Sequence, residues 1–310
     1  MALTTILGAG GPIGNELAKI LAAENRPFRL VGRKPNAFAG GEVFRADLAD
    51  QEQTIRAVAG SSVVHLVVGL KYDTRVWREL WPRIMANAVE ACKRAQARLI
   101  FFDNVYMYGK VNGPMTEVTR YAPVSNKGEI RAEIATTLMK EVTAGNLTAM
   151  IARSADFYGP DTQNSVPNKL VFEPFAKGST ASWLVNAEVP HSLTFTPDAA
   201  SGVAMLAEQE SAWNQVWHLP TAPNAPTGKE FITVVAKEFG VEPKYRVLSR
   251  PMLKVVGWFN PLVRESNEML YQSEFPYDFD STKFARAFGF GGTAYAEGIR
   301  IAAESYKLKA

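Results

Sequence analysis

The spacing of three glycines near the amino terminus indicates a site where the main chain, and not a side chain, contacts the ligand. They are Gly8, Gly11 and Gly14. They lie between an apolar run at 4–7 and an amphipathic segment that begins at 13. Glycine lets the backbone approach a phosphate closely, and a helix start supplies free N–H groups and a positive dipole end. This order predicts a pyrophosphate-binding turn. Its residues would be Gly8, Gly11, Pro12, Ile13 and Gly14.

The spacing of these glycines is G-x-x-G-x-x-G, which differs from the G-x-G-x-x-G of the older dehydrogenase fingerprint. The alternative interpretation is a tight turn between strand and helix in another kind of α/β protein. Because strand, turn and helix follow one another in the required order, the dinucleotide interpretation is favoured.

Two cations, Arg33 and Lys34, follow the second predicted strand. An enzyme that selects NAD usually places an acid near this point to hold the adenosine ribose. A carboxylate would repel the 2′-phosphate of NADP, whereas a guanidinium binds it through two hydrogen bonds. The pair therefore predicts NADP as the cofactor, with NAD as the other option. The alternative is that both are solvated loop cations.

The first half of the chain has the pattern of a parallel sheet that could position these residues. Apolar runs alternate with helical patterns up to residue 152, as in βαβ units, and the run 63–68 is apolar on both faces. We predict an α/β fold with a Rossmann-type doubly wound parallel sheet over 1–152. The predicted strands are 4–7, 28–31, 42–45, 63–68, 99–102 and 147–151, and the predicted helices are 13–23, 51–58, 76–95 and 127–143.

Beyond residue 152 the alternation stops, and Pro, Trp and Phe are spread among short elements. We expect 153–310 to be mainly a smaller C-terminal substrate lobe, with elements around 190–219, including a helix at 197–209, returning to the Rossmann core. The aromatic residues favour a partly apolar small-molecule substrate. The candidates for holding a substrate pyrophosphate are Arg246, Arg250 and Arg264.

The composition excludes several classes of partner and binding site. The net charge is +3, without the long basic run that a nucleic-acid partner would need. Cys92 is the single cysteine, so an intramolecular disulfide and a thiolate-rich zinc site are excluded, and no metal site is predicted. No leader peptide or membrane-spanning stretch is recognised, so we expect a cytoplasmic protein without a membrane partner. Trp77 and Trp81 indicate either internal packing or a helix pair in a homodimer.

Further landmarks extend over nearly the whole chain. They are Ala46-Asp47-Leu48, Val63-Val64-His65-Leu66, Asn87-x-x-Glu90-Ala91 and Tyr158-Gly159-Pro160. Together with the glycine turn, they resemble the extended and atypical branches of the short-chain dehydrogenase/reductase superfamily, which include nucleotide-sugar epimerases and dehydratases.

This resemblance implies roles for several cofactor-binding residues. Asp47 would contact the adenine edge, Leu48 would line the adenine pocket, and Val67 and Val68 would pass beneath the adenosine half. Tyr158 would belong to the loop that covers the nicotinamide, often through its backbone. Taken alone, Asp47 is typical of a turn or a helix N-cap.

Active members of this superfamily typically use a Tyr-x-x-x-Lys pair with an upstream Ser or Thr, and the tyrosine transfers a proton to the substrate oxygen. In the similar segments of this chain, Asn104 occupies the Ser/Thr position, Lys127 replaces the tyrosine and Arg131 replaces the lysine. The Asn104 amide could still donate to a carbonyl oxygen. Arg131 could bind ribose hydroxyls but does not titrate near neutrality.

The source of the proton is open between Lys127 and a tyrosine after the predicted strand end, which is Tyr108 or, as the second choice, Tyr106. A desolvated Lys127 beside another cation could act as an acid or base, whereas a solvated lysine at a helix start would not. Tyr108, which follows a predicted strand end, could line the site or be a core residue with one anchored hydroxyl.

Three functions fit the sequence. The first is an NADP-dependent oxidoreductase of the atypical short-chain type, which transfers hydride to a carbonyl or conjugated double bond. The second is a nucleotide-sugar epimerase or dehydratase. The third is a non-catalytic NADP(H)-binding regulator or redox sensor, similar to the nitrogen-metabolite repressor group. Fold alone does not choose among them, although the pattern as a whole favours an enzyme.

Overall fold

A computed structural model describes residues 2–35, 37–38, 40–162 and 165–308 of the protein. The strands in this part of the chain are β1 (Leu3–Leu7), β2 (Phe28–Gly32), β3 (Glu42–Arg45), β4 (Ser61–Leu66), β5 (Arg98–Asp103), β6 (Ala149–Arg153), β7 (Asp156–Tyr158), β8 (Ala181–Leu184), β9 (Leu193–Phe195), β10 (Val216–His218) and β11 (Tyr245–Leu248). Strands β1, β4 and β6 are almost entirely buried, as expected of strands covered on both faces.

The helices alternate with these strands in the first half and become shorter afterwards. They are α1 (Pro12–Ala23), α2 (Gln51–Val58), α3 (Thr74–Ala95), α4 (Asn126–Thr143), α5 (Glu173–Ala176), α6 (Thr196–Glu208), α7 (Gly228–Phe239), α8 (Arg250–Phe259), α9 (Pro261–Ser266), α10 (Thr282–Phe288) and α11 (Tyr295–Lys307). None of the helices in the described residues has the length and apolar character that crossing a membrane requires.

The main sheet has seven strands in the order β10-β6-β5-β4-β1-β2-β3. The pairs from β3 to β6 are all parallel. The chain moves outward in one direction from β1 to β3, and β4 then returns to the other side of β1. This is the strand order of a doubly wound sheet, with its switch point between β1 and β4. The predicted α/β Rossmann-type fold is confirmed.

The predicted elements agree with the observed ones to within a few residues. Strands β4 and β6 show the largest shifts, of two residues at each end. In β4 the apolar run continues through Val67 and Val68 while the strand ends at Leu66. The Val67 N–H still donates to the Leu7 carbonyl at 2.9 Å, so these two residues leave the ladder beside the end of β1.

The chain divides into two compact units. Unit 1 comprises 1–107, 126–153 and 200–217, and unit 2 comprises 108–125, 154–199 and 218–310. The segment 108–125, which the sequence places in the first domain, clusters with unit 2 because Met115 pairs with the backbone of a late segment. The Met115 N–H donates to the Asp278 carbonyl at 2.8 Å, and the Asp280 N–H donates to the Met115 carbonyl at 3.0 Å.

Trp77 and Trp81 belong to the interior of unit 1. Both are buried, and Trp81 packs edge-on against Phe101 with ring centroids 6.1 Å apart. Internal packing therefore accounts for both tryptophans.

Candidate dinucleotide site and the polar residues behind it

The glycine turn follows β1 and lies against the chain that leaves β4. Gly8 has a φ of +106°, and a Cβ at this position would lie 2.5 Å from Val68 Cα. A Cβ on Gly14 would lie 3.3 Å from the Gly8 carbonyl oxygen and 3.4 Å from Val67 Cγ2. The fold thus brings the predicted glycines together with Val67 and Val68, and both the backbone angle and the close contact require glycine at position 8.

Helix α1 begins at Pro12 with Gly11 as its N-cap, and within the described residues no side chain caps this end. A Cβ on Gly10 would meet nothing within 4 Å, and a Cβ on Gly11 would meet the Gly8 carbonyl oxygen at 3.7 Å. The first N–H groups of a helix have no partner inside the helix. There is therefore room for an anion at this helix start, and the turn fits a dinucleotide pyrophosphate.

The end of β2 is hydrogen-bonded to this turn. The N–H groups of Gly8 and Ala9 donate to the Val31 carbonyl at 2.9 and 3.0 Å. Arg33 and Lys34 follow two and three residues later, and both side chains are exposed. Among the described residues neither forms an ion pair, so both cations remain available to a ligand.

Asp47 and Leu48 form the turn after β3. The Asp47 carboxylate accepts the Ala49 N–H at 3.0 Å, which is a local turn contact, and the side chain is exposed. Leu48 is buried, and its carbonyl accepts a hydrogen bond from the buried Asn87 amide at 2.9 Å. Asn87 therefore fixes the backbone beside the predicted adenine contacts.

His65 lies in the middle of the sheet rather than at its edge. Burial lowers the pKa of His65 to about 3, with a smaller contribution from the charge of Arg26. Its Nδ1 atom has no hydrogen-bond partner in the described structure. The side chain is therefore neutral at physiological pH and belongs to the core.

The end of β5 carries a buried ion-pair network that the sequence did not reveal. Asp103 Oδ1 accepts a hydrogen bond from Arg131 Nε at 2.7 Å, and Asp103 Oδ2 accepts one from Arg153 Nε at 3.4 Å. All three side chains are at most 4% exposed. The Arg131 guanidinium also lies over the Trp81 ring, 4.3 Å from its centroid. Arg131, predicted to bind a ribose, is thus engaged in unit 1 by a carboxylate and an indole.

Lys127 is fully buried at the start of α4. Its ammonium donates to Thr74 Oγ1 at 2.8 Å and lies 4.6 Å from the centroid of the Tyr72 ring. Lys127 is therefore desolvated and held in place, which excludes the alternative of a solvated surface lysine.

Asn104 follows β5 and is half-buried. Its side-chain oxygen accepts the Tyr106 N–H at 3.0 Å, and its own N–H donates to Asp103 Oδ1 at 2.9 Å. These two bonds fix the orientation of the amide. In the described structure its Nδ2 group has no acceptor, so the amide keeps the donor that was predicted for a substrate oxygen.

In unit 2, the Tyr108 hydroxyl lies 2.8 Å from His218 Nε2, and His218 Nδ1 lies 2.8 Å from the Asp280 carbonyl oxygen. A carbonyl only accepts, so Nδ1 carries a proton. In the neutral imidazole Nε2 then accepts, and the Tyr108 hydroxyl donates to it. Tyr108 is 1% exposed. This arrangement is that of a packed tyrosine with an anchored hydroxyl.

Tyr158 lies in the aromatic core of unit 2, against Phe195, Phe231 and Tyr295. Burial raises the pKa of Tyr158 well above its ordinary value. A Cβ on Gly298 would lie 2.3 Å from the Tyr158 hydroxyl, so the ring is enclosed by the protein. The Tyr158 side chain is therefore a core residue of unit 2.

Comparison with protein families identifies the family of this chain. The model of the NAD dependent epimerase/dehydratase family matches residues 4–217, which is more than half of the chain. The chain belongs to this family. Membership confirms the resemblance to the extended short-chain dehydrogenases and the prediction of an epimerase/dehydratase-like enzyme, and it supports a nicotinamide dinucleotide as the cofactor.

Solved structures share the fold over nearly the whole chain. The structure of gox2253 superposes with a TM-score of 0.83 at 17% identity, covering 100% of this chain and 99% of that chain. UDP-glucose 4-epimerase of Thermus thermophilus, in complex with NAD, gives 0.80 at 17% identity, covering 98% and 99%. The DesIV double mutant of Streptomyces venezuelae, a dTDP-glucose 4,6-dehydratase with NAD and DAU bound, gives 0.80 at 16%, covering 99% and 97%. No curated protein matches the sequence.

In this epimerase/dehydratase family member, the predicted residues fall into two groups according to the neighbours that they contact in the structure. The glycine turn, Val67, Val68 and the end of β2 come together as one surface, the candidate dinucleotide site. The polar residues at the ends of β5 and α4 instead bond to residues that sequence reasoning did not single out: Asp103, Arg153, Thr74 and Tyr72. The sequence contains one signal of this network: the acid Asp103 stands at the end of an apolar strand, directly before Asn104. This signal could have indicated a buried partner for Arg131.

Proposed function

We propose that the protein is an NADP-dependent oxidoreductase that transfers hydride to a carbonyl or conjugated double bond of a small, partly apolar molecule. The observation that carries the NADP preference is the position of Arg33. It follows the β2 residue that accepts hydrogen bonds from the glycine turn, and its guanidinium is exposed. A cation at this point favours the 2′-phosphate.

The bound cofactor would supply the hydride, and the side chains of the protein would orient and polarise the substrate. The Asn104 amide is held by Tyr106 and keeps an N–H donor for a substrate oxygen. A fixed donor of this kind stabilises negative charge that develops on the oxygen. The desolvated Lys127 ammonium is a second donor and a candidate proton source.

Aromatic rings around these donors support an apolar substrate. In unit 1, Tyr106 is stacked on Trp77 with centroids 6.3 Å apart, and Tyr72 meets Trp77 edge-on at 5.6 Å. Tyr72 and Tyr106 are half-buried, so each still presents part of its ring. Ligand sites are lined by such rings with a few polar groups among them.

Family membership favours a second candidate, a nucleotide-sugar epimerase or dehydratase. The replacement of the tyrosine and lysine by Lys127 and Arg131 counts against it, and so do the cations of unit 2. Arg250 is paired with Glu274, and Arg246 donates to Ser182 at 3.3 Å. The third candidate, a non-catalytic NADP(H)-binding regulator, is favoured by the engagement of Arg131 with Asp103.

Cofactor titration and a substrate panel test the proposal. We expect fluorescence titration to show tighter binding of NADPH than of NADH, and a panel of carbonyls and enones to oxidise NADPH at its absorbance band. Equal binding of both cofactors, or none, would contradict the role of Arg33. Conversion of a nucleotide sugar without net cofactor oxidation would indicate the epimerase. Binding without turnover of any compound would indicate the regulator.

Two variants separate the candidate proton sources once turnover is measured. We expect Lys127→Ala to lower kcat strongly and Tyr108→Phe to leave it nearly unchanged, because the Tyr108 hydroxyl already donates to His218. Lys140→Ala is the matched control, since Lys140 is an exposed lysine on the same helix as Lys127. The reverse result would assign the proton to Tyr108.

A further inference from the structure

Helices α8 and α9 of unit 2 expose a group of large apolar side chains. Trp258 is 69% exposed and Phe259 is 84% exposed. Four more residues of the same segment are about half exposed, and we call the six together the apolar face: Met252, Val255, Val256, Trp258, Phe259 and Leu262. Contiguous apolar patches on a protein surface usually mark an interaction site.

The apolar face follows from the geometry of α8. Successive residues are rotated by about 100°, so Trp258, Val255, Phe259, Met252 and Val256 fall within an arc of about 160°. Leu253 and Gly257 lie on the opposite side and are the buried residues of this helix. The helix therefore packs against unit 2 through a narrow stripe and presents its wider apolar side to solvent.

The exposed charges along the apolar face are positive. The segment 249–264 contains no Asp or Glu and three cations, of which Arg250 is paired with Glu274 of the same unit. Lys254 and Arg264 are exposed, whereas the next acid along the chain, Glu265, is half-buried. On the helical projection, Lys254 lies beside Trp258 at the border of the apolar arc.

We propose that the apolar face docks on an anionic lipid surface. A helix with exposed Trp and Phe on one side and cations at its border lies in the plane of the membrane interface, with its apolar side among the acyl chains. Helix α8 has ten residues and is about 15 Å long, so it would lie on the bilayer and not cross it.

A second copy of the chain fits the same face less well. In a two-fold symmetric contact the same patch meets itself. The exposed Lys254 and Arg264 of both copies would then lie at one interface, and the segment 249–264 offers no carboxylate to pair with them. Anionic lipid head groups supply that negative charge.

This membrane proposal departs from the expectation of a chain without a membrane partner, and it does not depend on the proposed reaction. The full-length protein would be sedimented with vesicles of phosphatidylcholine alone and with vesicles that also contain phosphatidylglycerol. We expect binding to the anionic vesicles that weakens as salt is added. Substituting Trp258→Ser and Phe259→Ser together should weaken binding by about tenfold or more.

Two further variants keep the test independent of folding defects. Lys254→Glu changes only an exposed charge and should weaken binding to the anionic vesicles. Val118→Ser changes a valine of the same unit that is 92% exposed outside the apolar face, and it should bind like the wild type. The proposal is overturned if the wild type binds neither vesicle, or binds both equally. It is also overturned if light scattering shows a dimer that the Trp258→Ser/Phe259→Ser variant converts to a monomer.

Discussion

The Arg131 guanidinium donates to the Asp103 carboxylate at 2.7 Å, in a part of unit 1 where both side chains are almost fully buried. Arg153 approaches the other carboxylate oxygen at 3.4 Å. Arg131, at the position where the resemblance implies a ribose-binding lysine, instead joins the end of β5 to α4. One carboxylate between two guanidinium groups makes Asp103 the central residue of the network.

Replacing Asp103 by Asn should destabilise the protein strongly. The variant removes the carboxylate between two buried guanidinium groups, and breaking a buried pair on one side typically costs about 3–5 kcal/mol. Urea unfolding followed by circular dichroism measures this loss. Asp47→Asn, at an exposed turn, is the matched control and should cost less than about 1 kcal/mol. A loss of similar size in both variants would mean that the network contributes little.

Replacing Arg33 by Ser should weaken NADPH binding selectively. The loss of a charge-assisted contact to the 2′-phosphate corresponds to about a tenfold to 100-fold rise in Kd for NADPH. The Kd for NADH should remain within about twofold, since NADH lacks that phosphate. Lys177→Ser, an exposed lysine in unit 2, controls for general charge effects. Equal weakening of NADPH and NADH by Arg33→Ser would show that the residue does not select the phosphate.

Two glycine variants should separate folding from cofactor binding. Gly11→Ala places a methyl group in the open space at the start of α1, so stability should change by less than about 1 kcal/mol while dinucleotide binding falls by about tenfold or more. Gly8→Ala forces a Cβ to within 2.5 Å of Val68 Cα at a φ of +106°, and it should unfold at clearly lower urea concentration. Thermal unfolding and NADPH titration of both variants test this. Unchanged NADPH affinity in Gly11→Ala would show that the start of α1 does not bind the cofactor.

His65 should make the protein less stable in acid. Burial holds the pKa of His65 at about 3 in the folded state, whereas the ordinary value is 6.5. Between these values the unfolded chain binds a proton that the folded chain does not, so the free energy of unfolding falls as the pH falls. From pH 7 to pH 5 this group should cost about 2 kcal/mol.

The variant His65→Leu measures this contribution. Its stability, from urea unfolding at the two pH values, should decrease by about 2 kcal/mol less than that of the wild type. An identical decrease in both proteins would show that His65 is not protonated on unfolding in this range.

Local patterns in the sequence were sufficient for the glycine turn and for six strands of the main sheet, but not for its edge strand β10. A strand such as β1 and the turn that follows it are indicated by the apolar residues and glycines of that one segment, even though β1 pairs with the distant strands β2 and β4. The polar network could not be predicted in the same way. Arg131 and Arg153 lie 28 and 50 residues from Asp103, and Lys127 lies 53 residues from Thr74. Such pairs depend on which strand ends meet, and spacing does not encode that.

The helix start at Gly11 has a consequence for how this protein could change over generations. The candidate anion site there is formed by main-chain N–H groups, and a substitution of another residue leaves these groups in place. The residues that would handle protons are side chains, and each can be exchanged by a single codon change. Substitutions among the side chains that would handle protons, such as Lys127 and Arg131, therefore leave the main-chain groups of the candidate anion site unchanged.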